Sequence, residues 1–200
     1  MRDDGRMSRR GILRGDWFKQ ICARGAEEIS KEDSEQEFLI RKPSGLTSRS
    51  GGFVHRPPHA VPESEFVVGC TKCDACIQAC PPHAIFRTPD GEGMMAGLPV
   101  IDADTQPCIM CDELPCVPVC EPGVLTFDAP LAMGTAKIDS IACLAFRGTI
   151  CTVCVERCQV EDAITIEAGR PKINPDVCTA CGVCLYVCPA PGNAIHLITE

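Results

Sequence analysis

Aromatic side chains are scarce in this 200-residue chain: they make up 4% of it, with a single Trp and a single Tyr. That length allows one or two small domains, but so few bulky rings exclude a large conventional core. No stretch approaches the roughly 18 consecutive apolar residues of a membrane span. The chain is therefore expected to be soluble and not membrane-spanning, with any peripheral attachment made through a partner. Positive charge is missing from most of the molecule. The net charge is −8, and residues 1–24 hold seven Arg or Lys against three Asp, which leaves −12 on residues 25–200. A phosphate backbone requires the opposite sign, so nucleic acid is not an expected partner, whereas an electropositive protein patch would be steered toward this body. No Ser/His/Asp array or carboxylate pair stands out, and the chain reads as no enzyme on its own. Gly91-Glu92-Gly93-Met94-Met95-Ala96 has the outline of a dinucleotide loop with no helix evident after it. A hairpin loop accounts for it.

Cysteine is what the chain has in excess: 17 residues, of which all but Cys22 fall into four tight groups. Cys70, Cys73, Cys76 and Cys80, followed by Pro81, read C-x2-C-x2-C-x3-C-P, and Cys178, Cys181, Cys184 and Cys188, followed by Pro189, repeat it. Between them lie Cys108, Cys111, Cys116 and Cys120, then Cys143, Cys151, Cys154 and Cys158, with longer spacers and with Glu121 and Gln159 in place of the proline. The first and last groups have the bacterial ferredoxin spacing for a 4Fe–4S cluster. Cysteines at i, i+3 and i+6 on a loop wrap one face of a cubane and bind three irons. The fourth lies on the following turn and, in two-cluster ferredoxins, ligates the other cluster. Four groups of four thiolates suffice for four 4Fe–4S clusters, and each group is expected to lead into a short helix and then a strand, such as Ala163–Ile166 or Ala194–Ile198.

Other uses of these cysteines fit poorly. Disulfides belong to secreted scaffolds and spread along the chain, whereas these crowd into short loops. Structural zinc takes two C-x2-C pairs a dozen or more residues apart. Redox C-x-x-C chemistry needs one exposed pair in a thioredoxin-like context. His55, His59, His83 and His196 show no Cys/His pairing of the kind that puts histidine on a cluster iron. Cys22 lacks companions and reads as a free or buried thiol.

The pairing of groups is open at this level. Matching like with like nests the second and third groups inside the first and fourth: Cys70, Cys73 and Cys76 with Cys188, Cys178, Cys181 and Cys184 with Cys80, Cys108, Cys111 and Cys116 with Cys158, and Cys143, Cys151 and Cys154 with Cys120. Sequential pairing is the alternative. Either way metal must supply much of the folding energy, so the apo-chain is expected to be largely unfolded. The expected fold is α+β: two ferredoxin-like dicluster units over residues 63–200, preceded by an irregular arm and linker over residues 1–62. Within that arm, Ile12, Leu13, Trp17, Phe18 and Ile21 recur roughly on one face of a short amphipathic helix. Ser8-Arg9-Arg10-Gly11-Ile12-Leu13-Arg14 is similar to a twin-arginine export motif but is followed by Gly15-Asp16-Trp17-Phe18-Lys19-Gln20, where an export signal needs an apolar stretch.

Ser8–Leu13 and Cys73-Asp74-Ala75-Cys76-Ile77, together with Cys108-Ile109-Met110-Cys111-Asp112-Glu113-Leu114-Pro115-Cys116 and the long spacer after Cys143-Leu144, resemble the NapF/NapG/MauM-type polyferredoxins. Those proteins occur with periplasmic nitrate reductase and methylamine dehydrogenase systems. The resemblance covers residues 66–200 well and 8–18 loosely. It implies four 4Fe–4S clusters that relay single electrons between redox partners (a quinol dehydrogenase, a molybdoenzyme or a cytochrome). The missing apolar stretch favours a cytoplasmic, NapF-like place over a periplasmic, NapG-like one. Two other roles stay in view: a factor that assembles or matures a molybdoenzyme, and a structural zinc protein.

Overall fold

A computed structural model describes residues 55–90 and 92–198, all within the unit Pro43–Glu200. The Ser8–Arg14 motif, the amphipathic stretch and Cys22 lie outside the described residues.

Elements are short because the cysteine loops interrupt them. Helix α1 (Glu63–Gly69) starts after Pro62, carries Glu63 and Glu65 in its first turn, and buries Phe66 completely. Acidic residues there face the positive end of the helix dipole. Helix α2 (Ala75–Ala79) turns Cys76 inward. Strands β1 (Ile85–Arg87) and β2 (Pro99–Ile101) form an antiparallel hairpin with Ile85 opposite Ile101. Its connection contains the 3-10 turn Gly93–Met95, so the glycine-rich segment belongs to a hairpin loop.

Strand β3 (Thr135–Ile138) precedes the third cysteine group. Helix α3 (Val153–Glu156) leads into strands β4 (Ile164–Glu167) and β5 (Arg170–Ile173). Their turn residues Ala168 and Gly169 both have positive φ, 48° and 77°, the two-residue turn that matches strand twist. Helix α4 (Val183–Tyr186) follows the fourth group, and strand β6 (Ile195–Ile198) returns to pair with β3. The strands read from the sequence at Ala163–Ile166 and Ala194–Ile198 are β4 and β6. Among the described residues the sheets are three antiparallel pairs: β1–β2, β3–β6 and β4–β5.

The β3–β6 pair brackets the third and fourth cysteine groups. A smaller closure brackets the first and second, where Ala60 bridges Leu125. There the Val61 N–H donates to the Val124 carbonyl and the Thr126 N–H to the His59 carbonyl, both at 3.0 Å. A two-stranded pair is marginal alone, and the packing beneath is itself thick with sulfur. One apolar cluster joins Phe66, Ile85, Ile101, Val117 and Leu125 to Cys76, Cys80, Cys108, Cys116 and Cys181. A second joins Leu185, Ile195 and Leu197 to Cys154, Cys178 and Cys184, and a third gathers Ala145, Ala190 and Ala194 around Cys143.

Residues 55–61, the end of what the sequence reads as linker, are pinned into this body. The Ile101 N–H donates to the His55 carbonyl at 2.7 Å, and burial lowers the His55 imidazole to about 4 against an opposing hydrogen bond with the Ala180 backbone. The buried Arg56 guanidinium donates to Glu63 at 2.7 and 2.9 Å and to the Pro99 carbonyl at 2.7 Å, and lies 4.7 Å from the centroid of the Phe66 ring. Arg56→Met keeps the apolar stem but strands the Pro99 carbonyl. Loss of a buried partner costs roughly 1–3 kcal/mol, while the half-exposed Glu63 rehydrates. A lower thermal midpoint of the loaded protein at unchanged iron content is expected, and an unaltered midpoint would refute this role.

Candidate metal centre

The cysteine loops take their shape from backbone positions that disfavour most side chains. In Cys70–Cys76 the residues flanking the middle cysteine, Lys72 and Asp74, have φ of 57° and 64°. In Cys178–Cys184 the equivalent residues, Ala180 and Gly182, have φ of 55° and 87°, and Met110, before Cys111, has 49°. A non-glycine residue there costs roughly 1–2 kcal/mol, so the surrounding fold must hold it. Left-handed residues set among right-handed ones turn successive N–H groups toward one centre, a nest for an anion of the kind found at many iron–sulfur sites.

The side chains gather in sets that cross between groups. Cys70, Cys73 and Cys76 line a hollow with Cys120. Cys143, Cys151 and Cys154 line another with Cys188, and Cys178, Cys181 and Cys184 line a third with Cys158. The remaining four, Cys80, Cys108, Cys111 and Cys116, stand close enough for one thiolate to act on the next. Cys116 feels Cys80, then Cys111 and Cys120, and Cys108 feels Cys181 of the fourth group, then Cys116 and Cys80. These sets are numbered here by the group that supplies three cysteines: first (with Cys120), second (with Cys80), third (with Cys188) and fourth (with Cys158). The pairing is thus sequential. The nested scheme fails because Cys120, not Cys188, faces Cys70, Cys73 and Cys76: the two chain closures bring together groups adjacent in sequence.

All sixteen described cysteines are free thiols, outside any disulfide. Among the described residues no cluster of His, Cys, Asp or Glu converges tightly enough for a single metal ion. The thiols surround hollows, and a multi-atom group with four outer thiolate ligands fits such an arrangement. The backbone supplies further contacts that the sequence does not advertise. The Ala84 N–H donates to Cys80 Sγ at 3.3 Å and the Leu125 N–H to Cys120 Sγ at 3.4 Å, so the two crossing cysteines of the first pair of groups carry matching bonds.

Burial, then the neighbouring thiolates Cys120, Cys70, Cys116 and Cys73, push Cys76 up to about 12. Burial likewise takes Cys108 to about 12, and Cys116 and Cys154 to about 11, and it raises Cys184 strongly with Cys181, Cys178, Cys154 and Cys158 adding to the effect. Cys73 is the opposite case: exposed, and lowered by hydrogen bonds from the Ala75 backbone and then from Thr71. Burial thus favours the protonated thiol at Cys76, Cys108, Cys116, Cys154 and Cys184, and a cationic metal group bound there would have to displace those protons.

Short helices and two-stranded sheets around thiol-lined hollows, with each loop lending its fourth cysteine across a pair, define a ferredoxin-type iron–sulfur protein. Residues 69–124, which span the first and second cysteine groups, match the 4Fe-4S dicluster domain family. The chain is 35% identical over 169 residues to "Ferredoxin-type protein NapG" of Escherichia coli strain K12, covering 76% of this chain and 73% of that protein. It is 35% identical over 157 residues to "Methylamine utilization ferredoxin-type protein MauM" of Methylorubrum extorquens, covering 72% and 71%. It is 30% identical over 138 residues to "Ferredoxin-type protein NapF" of Escherichia coli strain K12, covering 67% and 79%. The chain belongs to this family of NapG, MauM and NapF ferredoxin-type proteins. No solved structure matches it.

Proposed function

We propose that this chain is an electron carrier built as two dicluster units in series, over residues 59–126 and 135–198, with a 4Fe–4S cluster in each of the four thiol sets. The observation that carries the reading is the crossed gathering of cysteines, three from one loop and the fourth from its partner loop, around a shared hollow. When bound, such a cluster supplies one-electron exchange with no bond made to a substrate.

The chain's own residues hold, shield and tune. Leu144, Pro171, Pro189, Ala190 and Ile195 line the third set with apolar surface, as Val160, Ile164 and Val183 line the fourth. Such walls keep water from the sulfurs, and backbone N–H groups such as those of Ala84 and Leu125 donate to them; hydrogen bonding and exposure are the levers that set a cluster's potential. Among the described residues no helix is long and apolar enough to cross a membrane. The partners are other redox proteins, and the family resemblance favours a quinol dehydrogenase on one side and a molybdoenzyme or cytochrome on the other.

Iron and acid-labile sulfide per chain, measured on anaerobically purified protein, test this, with low-temperature EPR after dithionite reduction. About sixteen of each, with coupled reduced-cluster signals, is the expected result. Zinc in place of iron, or iron that dithionite does not reduce, would overturn it.

A further inference from the structure

Resting on the four-cluster reading, one question is how the sites are ordered in space. The two halves meet through the second and fourth sets. The Cys108 N–H donates to the Cys181 carbonyl at 3.0 Å, and Met133, in the connection between the halves, donates its N–H to the Thr179 carbonyl at 3.1 Å. Cys181 packs inside the apolar cluster that holds Cys80, Cys108 and Cys116. Beside it Gly182 lies so close to the first half that a Cβ built there would fall 2.4 Å from Ala103 Cβ. No side chain fits in that gap, and glycine also tolerates the φ of 87°.

The third set lies on the far side of the fourth. Cys154 shares the apolar cluster of Cys178 and Cys184, and Cys188 borders both that cluster and the one around Cys143 and Cys151. The cluster that holds the first and second sets shares no described residue with the cluster around Cys143. Exposure follows the same order. Three of the four cysteines are buried in the second set (Cys80, Cys108, Cys116) and in the fourth (Cys178, Cys181, Cys184), against two in the third (Cys143, Cys154) and one in the first (Cys76), where Cys73 is exposed.

We infer that the four sites stand in single file in the order first, second, fourth, third, with the Cys108–Cys181 hydrogen bond at the junction between the halves. Spatial order thus departs from chain order: the site built on Cys143, Cys151 and Cys154 is an end of the file, and the site built on Cys178, Cys181 and Cys184 is interior. With clusters bound, an electron would cross between the halves at the junction, one site being oxidised as its neighbour is reduced. No bond forms and no proton moves. It enters from a one-electron donor protein at one end and leaves to a one-electron acceptor protein at the other.

Two single variants of the full chain separate this from a file in chain order. Cys178→Ser removes the fourth site and should isolate the third, so that dithionite-reduced protein shows a lone, uncoupled EPR signal beside the coupled first pair. Cys151→Ser removes an end and should leave three mutually coupled sites with no isolated signal. Each variant should lose one site's share of iron. The reverse pattern, isolation in Cys151→Ser and none in Cys178→Ser, would overturn the order. A wild-type chain that holds no reducible iron would instead sink the four-cluster reading itself. Should Cys178→Ser shed iron from more than one site, Ala103→Leu decides, because it wedges the junction without touching a cysteine. Coupling between the halves should then weaken at full iron content, and undiminished coupling would place the junction elsewhere.

Discussion

Stripping the iron from the loaded protein with a chelator under reducing conditions is expected to unfold residues 55–198 as a whole. Of their thirty buried apolar side chains nine are cysteine and eight alanine, so the bulky aliphatic and aromatic part of the core is small for this length. The helices have four to seven residues, far short of what is stable alone in water. The sheets have two strands each, again below independent stability. Emptying the sites leaves thiols gathered around hollows with no ligand to tie the loops together. The whole net stability of a small domain, about 5–15 kcal/mol, is at stake. Circular dichroism should show loss of strand signal and limited proteolysis should cut throughout. An apo-chain that still melts in one cooperative transition would contradict this.

Serine replacements combined in pairs should report which cysteines share a site. Cys73→Ser and Cys120→Ser should each remove one site's share of iron, and the double variant should remove no more than either alone, since both disable the same site. Cys73→Ser with Cys188→Ser should remove two shares, because these residues serve the first and third sets. Non-additivity is the signature of residues acting as one unit. Iron and sulfide assays on the four proteins suffice. Additive loss in the first pair and non-additive loss in the second would restore the nested arrangement.

What the sequence revealed and what it hid have separate physical causes. The sixteen grouped cysteines and the strands β4 and β6 follow from local patterns, namely ligand spacing and short β-branched runs. Pairing of groups is not local. Spacing and the prolines Pro81 and Pro189 make the first and fourth groups look alike, but a proline after the fourth cysteine shapes only its own turn. Ala60 bridging Leu125 and β3 pairing with β6 decide the matter, and neither contact has a sequence signature of its own. Arg56 was hidden for a related reason: a Pro-rich stretch reads as loop, and its anchors, Glu63, Phe66 and Pro99, are gathered only by the fold. The left-handed Lys72, Asp74 and Ala180 were hidden too, because these residue types do not demand that conformation. Gly182 is the exception, as its identity in Cys181-Gly182-Val183 hints at the close approach that Ala103 makes.

Sequential pairing also bears on how the chain is made. The first and second sets draw every cysteine from Cys70 to Cys120, and their closing contacts end at Thr126. On the proposed four-cluster reading, once that stretch has cleared the ribosome the leading half would hold all eight of its ligands while the trailing half is still being translated. A nested chain would have had to wait for Cys188, leaving the nascent thiols of the leading half unprotected until almost the last codon.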